Sequence, residues 1–384
     1  MNFDIICFSH LRWNFVYQRP QHLLSRFSKN NRVFFIEEPV WDADTETVSV
    51  EEVDKNINVV VPYLSSDKTP KAVLNFQKRM VDKLLEDMNI TNYIFWYYSP
   101  MALPFSDHAN PGLIIYDCMD ELSCFKNAPA ALKENEAKLI EKADIMFTGG
   151  HSLYNAKKHL HENVHAFPSS IDKEHFFTAR ARSVEEEVHE NIPHPRFGFY
   201  GVIDERFNLD LLAEIATKKP EWSFVLIGPI VKISEDSIPL LANIYYLGGK
   251  SYKDLPDYLS EWDVAIMPFA LNEATRFISP TKTPEFLAAG KPVISTSITD
   301  VVDLYGNKGL VSIADTADEF IQAGETVLNT ILVSNHCYEK WLGKVDNLLR
   351  NMSWDKTWRE MMNIIENDLQ KKTVKNLHKT EIYV

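Results

Sequence analysis

SPTKTPEFLAAGKPVIST, residues 279–296, reads as a helix start, a short helix, a glycine stop and a buried strand. Two starts fit. Thr283 caps a helix whose first residue is Pro284, a proline whose missing N–H would be unpaired there anyway. Alternatively Ser279 and Pro280 open the helix a turn earlier and Pro284 kinks its first turn. Gly290 suits the position just past the helix, Pro292 stops the helix from resuming, and Val293 and Ile294 continue as sheet core. On either start a helix N-terminus lies in a loop, with Lys282 beside it and Glu285 in its first turn.

That combination has a chemical logic. Unpaired N–H groups and the positive end of the helix dipole attract phosphate. The dipole contributes only about 0.3–1 kcal/mol at an exposed end, too little for a diphosphate, so a cation such as Lys282 is required. Ionised Glu285 accepts hydrogen bonds and suits two adjacent hydroxyls, as on a ribose. A diphosphate beside such a pair describes a nucleotide sugar. The plainer alternative is a glutamate that suits the dipole and a solvated lysine.

The chain has 384 residues, long for one core, and two domains are expected. With 45% hydrophobic and 12% aromatic residues it is globular. No apolar run approaches the length of a membrane span. The opening MNFDIICFSH has Asp4 inside its apolar run and no basic leader, so it reads as a first strand in a cytosolic protein. The net charge of −14 argues against nucleic-acid partners. Residues 1–100 hold 11 Lys+Arg against 13 Asp+Glu, so most of the acidity lies later, and the near-neutral first domain is the part suited to peripheral contact with a membrane surface. The four cysteines (Cys7, Cys118, Cys124 and Cys337) have neither metal-ligand spacing nor a disulfide framework.

Strand and helix patterns alternate from the start. A strand at Asp4–Phe8 leads into a loop with Arg12 and Trp13, then VYQRPQHLLSRF, where Pro20 suits a helix start. Gln18, Arg19 and His22 fall at that start, facing the carboxyl edge of the first strand, where open α/β sheets bind ligands. Asp42-Ala43-Asp44 is a solvated turn. Val73, Phe76, Met80, Leu84 and Met88 make one apolar helix face, read as core packing. A strand ending at Tyr116 is followed by Asp117-Cys118-Met119-Asp120-Glu121. One of Asp117 and Asp120 caps the next helix, and Asp120 is the candidate general base. Residues 171–195 are charged and weakly patterned, and read as a linker. Alternation restarts at Arg196–Tyr200, followed by the loop Gly201–Arg206. Gly201 allows close approach of the backbone to a ligand, and Arg206 is either a fork for phosphate or an exposed loop arginine. A helix with Trp354, Trp358, Met361, Met362 and Ile365 ends the chain, followed by a lysine-rich end expected to fray.

Taken together, VYQRPQHLLSRF, YDCMDELSCF, FPSSIDKEHF, FGFYGVIDERFNLDLL and WDVAIMPF with the opening stretch resemble, in the same order, the motifs of GT-B glycosyltransferases. The likeness is to family-4-like bacterial enzymes and to the teichuronic acid glycosyltransferases. It implies an α/β fold of two facing Rossmann-like domains with an interdomain cleft and a C-terminal crossover helix. The expected divisions are 1–170 on the acceptor side, 171–195 as linker, 196–350 on the donor side, and 351–384 returning to the first domain.

The resemblance also implies roles. Arg206 and Lys282 take the donor diphosphate and offset the charge of the leaving group. Glu285 takes the ribose hydroxyls, with Gly201, Pro280 and Thr281 lining the donor. Thr275, Arg276 and Ser279 take the transferred sugar. Arg12, Trp13, Gln18, Arg19 and Asp117 lie on the acceptor side. An inverting enzyme needs a base on the acceptor hydroxyl, which Asp120 would provide, whereas a retaining one relies on the donor phosphate and neighbouring backbone; the sequence does not choose between them. No permanently bound cofactor or metal is implied; the nucleoside-diphosphate sugar, UDP- or GDP-linked, is the donor substrate. The acceptor is a hydroxyl of a cell-surface glycan or lipid-linked precursor. The chain departs from the pattern at Phe277, where such enzymes carry a second glutamate, and in having Arg206 without a following lysine. A nucleotide-sugar epimerase and an inactive sugar-binding paralogue are the rival readings. A dehydrogenase is disfavoured because no G-x-G-x-x-G occurs.

Overall fold

The computed structural model describes residues 3–181, 188–189 and 191–381. Part of the expected linker, 182–187 and 190, lies outside the described residues, as do the last three residues of the lysine-rich end. The chain divides into two compact units. The first comprises Met1–Ser123, Asn127–Pro168 and Trp354–Val384; the second comprises Cys124–Lys126 and Ser169–Ser353.

The sheet of the first unit is built from β1 (Asp4–Phe8), β2 (Val33–Ile36), β3 (Thr47–Asp54), β4 (Ile57–Tyr63), β5 (Tyr93–Tyr97), β6 (Leu113–Cys118), β7 (Ile145–Thr148) and β8 (Val164–Ala166). Their order is β3-β4-β2-β1-β5-β6-β7-β8. All neighbours run parallel except β3, which pairs antiparallel with β4. Buried runs such as VFFI in β2 and YIFWY in β5 suit strands covered on both faces. β3, absent from the sequence reading, is an edge strand. Its Glu51, Glu52 and Asp54 face outward, and Asn56, at φ 63°, turns the chain back into β4. Edge strands carry such charges against stray pairing, and those charges hide them from a hydrophobicity pattern.

The closing helix, Trp354–Glu381, belongs to this unit. Its Trp354, Met361 and Ile365 are buried with Leu23, Leu24 and Phe27 of the helix Arg19–Phe27. The His22 ring stacks on Trp354 at 4.8 Å. Of the stripe on the helix Pro70–Asp87, Met80 and Leu84 are buried, whereas Val73 and Phe76 are half-buried.

In the second unit six parallel strands form the sheet: β9 (Arg196–Tyr200), β10 (Ser223–Ile227), β11 (Ile244–Tyr246), β12 (Val264–Met267), β13 (Val293–Ser295) and β14 (Val311–Ile313). Their order is β11-β10-β9-β12-β13-β14. Successive connections turn back between β9 and β12, the topological switch point where doubly wound sheets bind ligands. Both units are therefore Rossmann-like. The reading of 171–195 as a linker differs from the structure at Lys173–Ala181, which is helical. Ile171, Phe176 and Ala179 join the core of the second unit, so these apolar residues are packing groups inside a charged stretch. Sequence patterning also passed over the helices Ala317–Thr326 and Asn335–Leu349. The first has a complete capping box from Thr316 and Glu319, a legible start signal.

Candidate functional site

In the second unit the chain leaves β9 at Tyr200 and enters the loop 201–207. It leaves β12 at Met267 and runs through 268–281 into the helix Lys282–Ala288. These two connections flank the switch point and are laced together. The Ala270 N–H donates to the Arg206 carbonyl (2.8 Å) and the Asn208 N–H to the Pro268 carbonyl (2.8 Å).

The helix starts at Lys282, between the two starts the sequence left open. Thr281 precedes it without a side-chain cap, and the Thr283 hydroxyl lies 3.5 Å from Met267 Sδ in the core. Pro284 is the third helical residue, still one whose N–H would find no partner within the helix. Gly290, at φ +76°, follows the last turn as expected. Arg180 donates to the carbonyls of Leu287 and Ala288, so a cation caps the C-terminal end, where the dipole favours one. With only seven residues, this helix brings little dipole of its own, and the weight falls on Lys282.

Lys282 is half-exposed, and its side chain runs across Gly201. A Cβ on Gly201 would lie 1.9 Å from Lys282 Cε and 2.7 Å from Nζ, and Gly201 has φ +142°. Both the close approach and the backbone conformation therefore require glycine. Glu285 is 3% exposed, and the Tyr200 hydroxyl donates to its Oε2. Burial pushes the Glu285 carboxyl up to about 7; the Tyr200 hydrogen bond and the Lys282 charge pull it down, and Asp172 pushes it up. Tyr200 and Asp172 were missed by sequence reasoning. Tyr200 is the last residue of β9, at the edge where ligands bind. Asp172 lies in FPSSIDKEHF, a segment whose Ser169 also donates to the Ser279 carbonyl.

Arg206 differs from its expected part. Its Nε and Nη2 form a fork on Asp204, the shortest contact being 2.7 Å, and its guanidinium lies 5.3 Å from the centre of the Phe125 ring. Asp204 is 4% exposed, so the fork satisfies a buried carboxylate. Thr275, expected to touch a sugar, is 1% exposed. Its hydroxyl donates to the Ala270 carbonyl and accepts from the Asn272 N–H at 3.1 Å, which holds the turn after β12. Replacing Thr275 by Val strands two polar groups and is expected to cost about 1–3 kcal/mol while leaving nucleotide affinity unchanged. Chemical denaturation and calorimetry on one preparation check this. Arg276 is exposed, 3.6 Å from Glu273 and over the Phe277 ring at 5.1 Å. Ser279, Pro280 and Thr281 are half-exposed beside Lys282.

Residues 194–330 match the family model for glycosyl transferases group 1. The chain is 25% identical over 311 residues to TuaH of Bacillus subtilis (strain 168), a glycosyltransferase assigned to teichuronic acid biosynthesis, covering 75% of this chain and 76% of that protein. Residues 194–330 are thus a glycosyl transferase group 1 domain, and the chain has the GT-B fold. Its fold is shared with sucrose-phosphate synthase of Thermosynechococcus elongatus (TM-score 0.69, 13% identity, covering 95% and 98% of the two chains). It is shared too with an Escherichia coli trehalose-6-phosphate protein solved with UDP-2-fluoro glucose (TM-score 0.67, 12% identity, 96% and 99%).

The acceptor-side candidates of the first unit fall in two polar networks at the carboxyl edge of β1, β2 and β6, one around Glu37 and one around Asp117. Arg12 donates to Glu37 (2.8 Å) and to the carbonyls of Glu38 and Pro39; Glu37 also accepts from the Trp13 N–H at 2.7 Å. Gln18 caps the helix Arg19–Phe27 through a capping box with Gln21. Arg19, 5% exposed, pairs with fully buried Asp117 at 2.8 Å and donates to the Phe167 carbonyl. It is thus neither a surface cation nor a donor held out to a ligand. Asp117 is held by that pair and caps no helix. Asp120, half-exposed three residues on, is the carboxylate this loop brings nearer to solvent.

Proposed function

We propose that this chain is a glycosyltransferase, moving a sugar from a nucleoside-diphosphate donor, UDP- or GDP-linked, to a hydroxyl of a cell-surface glycan or lipid-linked precursor. The observation that carries the reading is the pairing of Lys282 and Glu285 on one helix start at the switch point, with Lys282 lying over Gly201. A cation there meets the diphosphate charge that grows as the sugar leaves, the electrostatic contribution that usually dominates such catalysis. Glu285 accepts from the ribose hydroxyls. The acceptor side is assigned to the first unit, with Asp120 taking the proton of the attacking hydroxyl.

The likeness to TuaH, a protein of teichuronic acid biosynthesis, supports a cell-envelope glycan as the product class. The ligand of the Escherichia coli structure supports a nucleoside-diphosphate sugar as donor. No divalent metal is assigned to the donor, since Lys282 supplies the positive charge, and the site of action is the cytoplasmic side, with peripheral attachment to the membrane face.

Calorimetry of the full chain against UDP, GDP and their glucose and mannose conjugates, with and without EDTA, tests the reading. Binding of one nucleotide series, unchanged by EDTA, is expected. No binding of any of them would remove the assignment, and binding that EDTA abolishes would remove its metal-free form. An inactive binding protein is the second reading, favoured by Phe277 and by the closure of Arg206 on Asp204. It requires binding without product against any acceptor.

A further inference from the structure

Lys291 stands at the edge of the second sheet opposite the donor loops. Tyr200 and Met267 end β9 and β12 at one edge; Arg196 and Val264 begin them at the other, and Lys291 lies just before β13 begins. A cavity of about 410 Å³ opens there, its lining including His194, Ser260, Asp263, Lys291, Asn335 and Tyr338. That volume is within the range small ligands occupy. The Tyr338 hydroxyl donates to the Gly290 carbonyl at 2.8 Å, which fixes the turn that delivers the lysine. Lys291 Nζ donates to the carbonyls of Ser260 and Trp262, both at 2.8 Å. These are its hydrogen bonds among the described residues. An ammonium has three hydrogens to place and a neutral amine two. The two carbonyls therefore satisfy the neutral amine and leave its lone pair for an electrophile, whereas the ammonium keeps one hydrogen over. Burial pulls the amine down to about 8, while Asp263 and Glu261 push it up. Both carboxylates are engaged elsewhere. Asp263 accepts from His194 Nδ1 and from the Arg196 N–H, both at 2.6 Å, and Glu261 pairs with the Arg196 guanidinium at 2.9 Å.

We propose that Lys291 is a covalent site for small aldehydes, open-chain sugars among them, which it takes as an imine within this cavity. Desolvated lysines are the amine nucleophiles that attack carbonyl carbon. The nitrogen lone pair bonds to the aldehyde carbon, and the carbonyl oxygen becomes a hydroxyl. That oxygen leaves as water, carrying in total the two hydrogens the nitrogen gives up, and a C=N bond remains; nothing is oxidised or reduced. The His194 ring, oriented by Asp263 and lining the same cavity, relays the proton that the departing hydroxyl requires. The charge of the site selects the class of reagent. A protonated imine keeps a cation beside Asp263 and Glu261 and an N–H for a carbonyl, whereas acylation leaves a neutral amide there.

The full chain is mixed with glycolaldehyde at pH 8 and quenched at timed intervals with sodium borohydride, which reduces an imine to a stable secondary amine. Mass spectrometry of the digest then locates the label. At that pH about half of the Lys291 amine is neutral, against roughly 0.3% of an ordinary lysine. Lower basicity and confined access offset part of that advantage, and Lys291 is expected to label about tenfold faster than any other lysine. Dilution before the quench is expected to remove the label, since water reverses an imine. Lys291→Arg, which can still donate to both carbonyls, is expected to lose the fast label while its melting temperature stays near that of the parent. His194→Gln is expected to label several-fold more slowly at the same position. Lys291 labelled no faster than surface lysines, or a label that survives dilution, would overturn the site. Full-rate labelling in His194→Gln would overturn the relay. None of these measurements involves a nucleotide, so the donor assignment stands or falls separately.

Discussion

Lys282→Ala is expected to lower kcat/KM by about a hundred- to a thousandfold, the loss typical when a preorganised charge-stabilising group is removed, and to weaken UDP or GDP binding in parallel. The size follows from what surrounds the lysine. The helix it opens has only seven residues, so the dipole cannot substitute for the ammonium. Arg206 is closed on Asp204, so the neighbouring guanidinium is already committed to a buried carboxylate. Gly201→Ala makes an independent version of the same test. Its new Cβ would fall 1.9 Å from Lys282 Cε, and because the obstructed atoms are the end of a flexible chain, the lysine swings away and the domain stays folded. That variant is expected to lose about tenfold in nucleotide affinity, as one displaced charged hydrogen bond would. Its melting temperature should also fall modestly, since an alanine at φ +142° is strained. Calorimetry on both variants decides the matter: nucleotide affinity within twofold of the parent in Lys282→Ala would mean the pocket is wrongly assigned.

The contrast between Lys282 and Arg206 marks where reading the sequence works and where it stops. Gly290, Pro292 and the apolar run after them announce a helix stop and a strand by local chemistry alone, and the structure has both. The two sheets were legible for a similar reason: strands buried on both faces have a continuous apolar signature. β3 was not, because an edge strand facing water carries the polar residues of a loop. The partners of charged side chains were harder. Arg19 meets Asp117 across 98 positions, a distance no spacing rule spans, so a buried ion pair looked like a ligand site. Arg206 is different: Asp204 lies two residues away, and Asp-x-Arg in a tight loop is a pair that local geometry favours. The Glu285 environment depended on topology. Tyr200 reaches it only because β9 and β12 are neighbours, and Asp172 only because a stretch that reads as linker folds into the unit.

Glu285→Gln is expected to raise stability above pH 7 and at the same time to cut nucleotide-sugar affinity about a hundredfold, the worth of one or two hydrogen bonds to a charged group. The stability half follows from burial. Its carboxyl is pushed up to about 7 from an ordinary value of 4.5, so between those two pH values the folded chain holds a proton that the unfolded chain has released. Stability therefore falls as pH rises through that window, and above pH 7 the full penalty is present, at most about 3 kcal/mol. Glutamine cannot ionise and still accepts from the Tyr200 hydroxyl, so the difference in melting temperature between variant and parent should grow from pH 5 to pH 8. A difference that stays flat would show the carboxyl is not raised. The binding half follows from the same proton. Ribose hydroxyls donate to the carboxylate, so donor binding in the parent should tighten as pH rises through 7 and release a proton below it. Calorimetry in two buffers of different ionisation enthalpy measures that release. Unchanged affinity in the variant, with no proton released by the parent, would leave Glu285 as no more than the anchor of Tyr200.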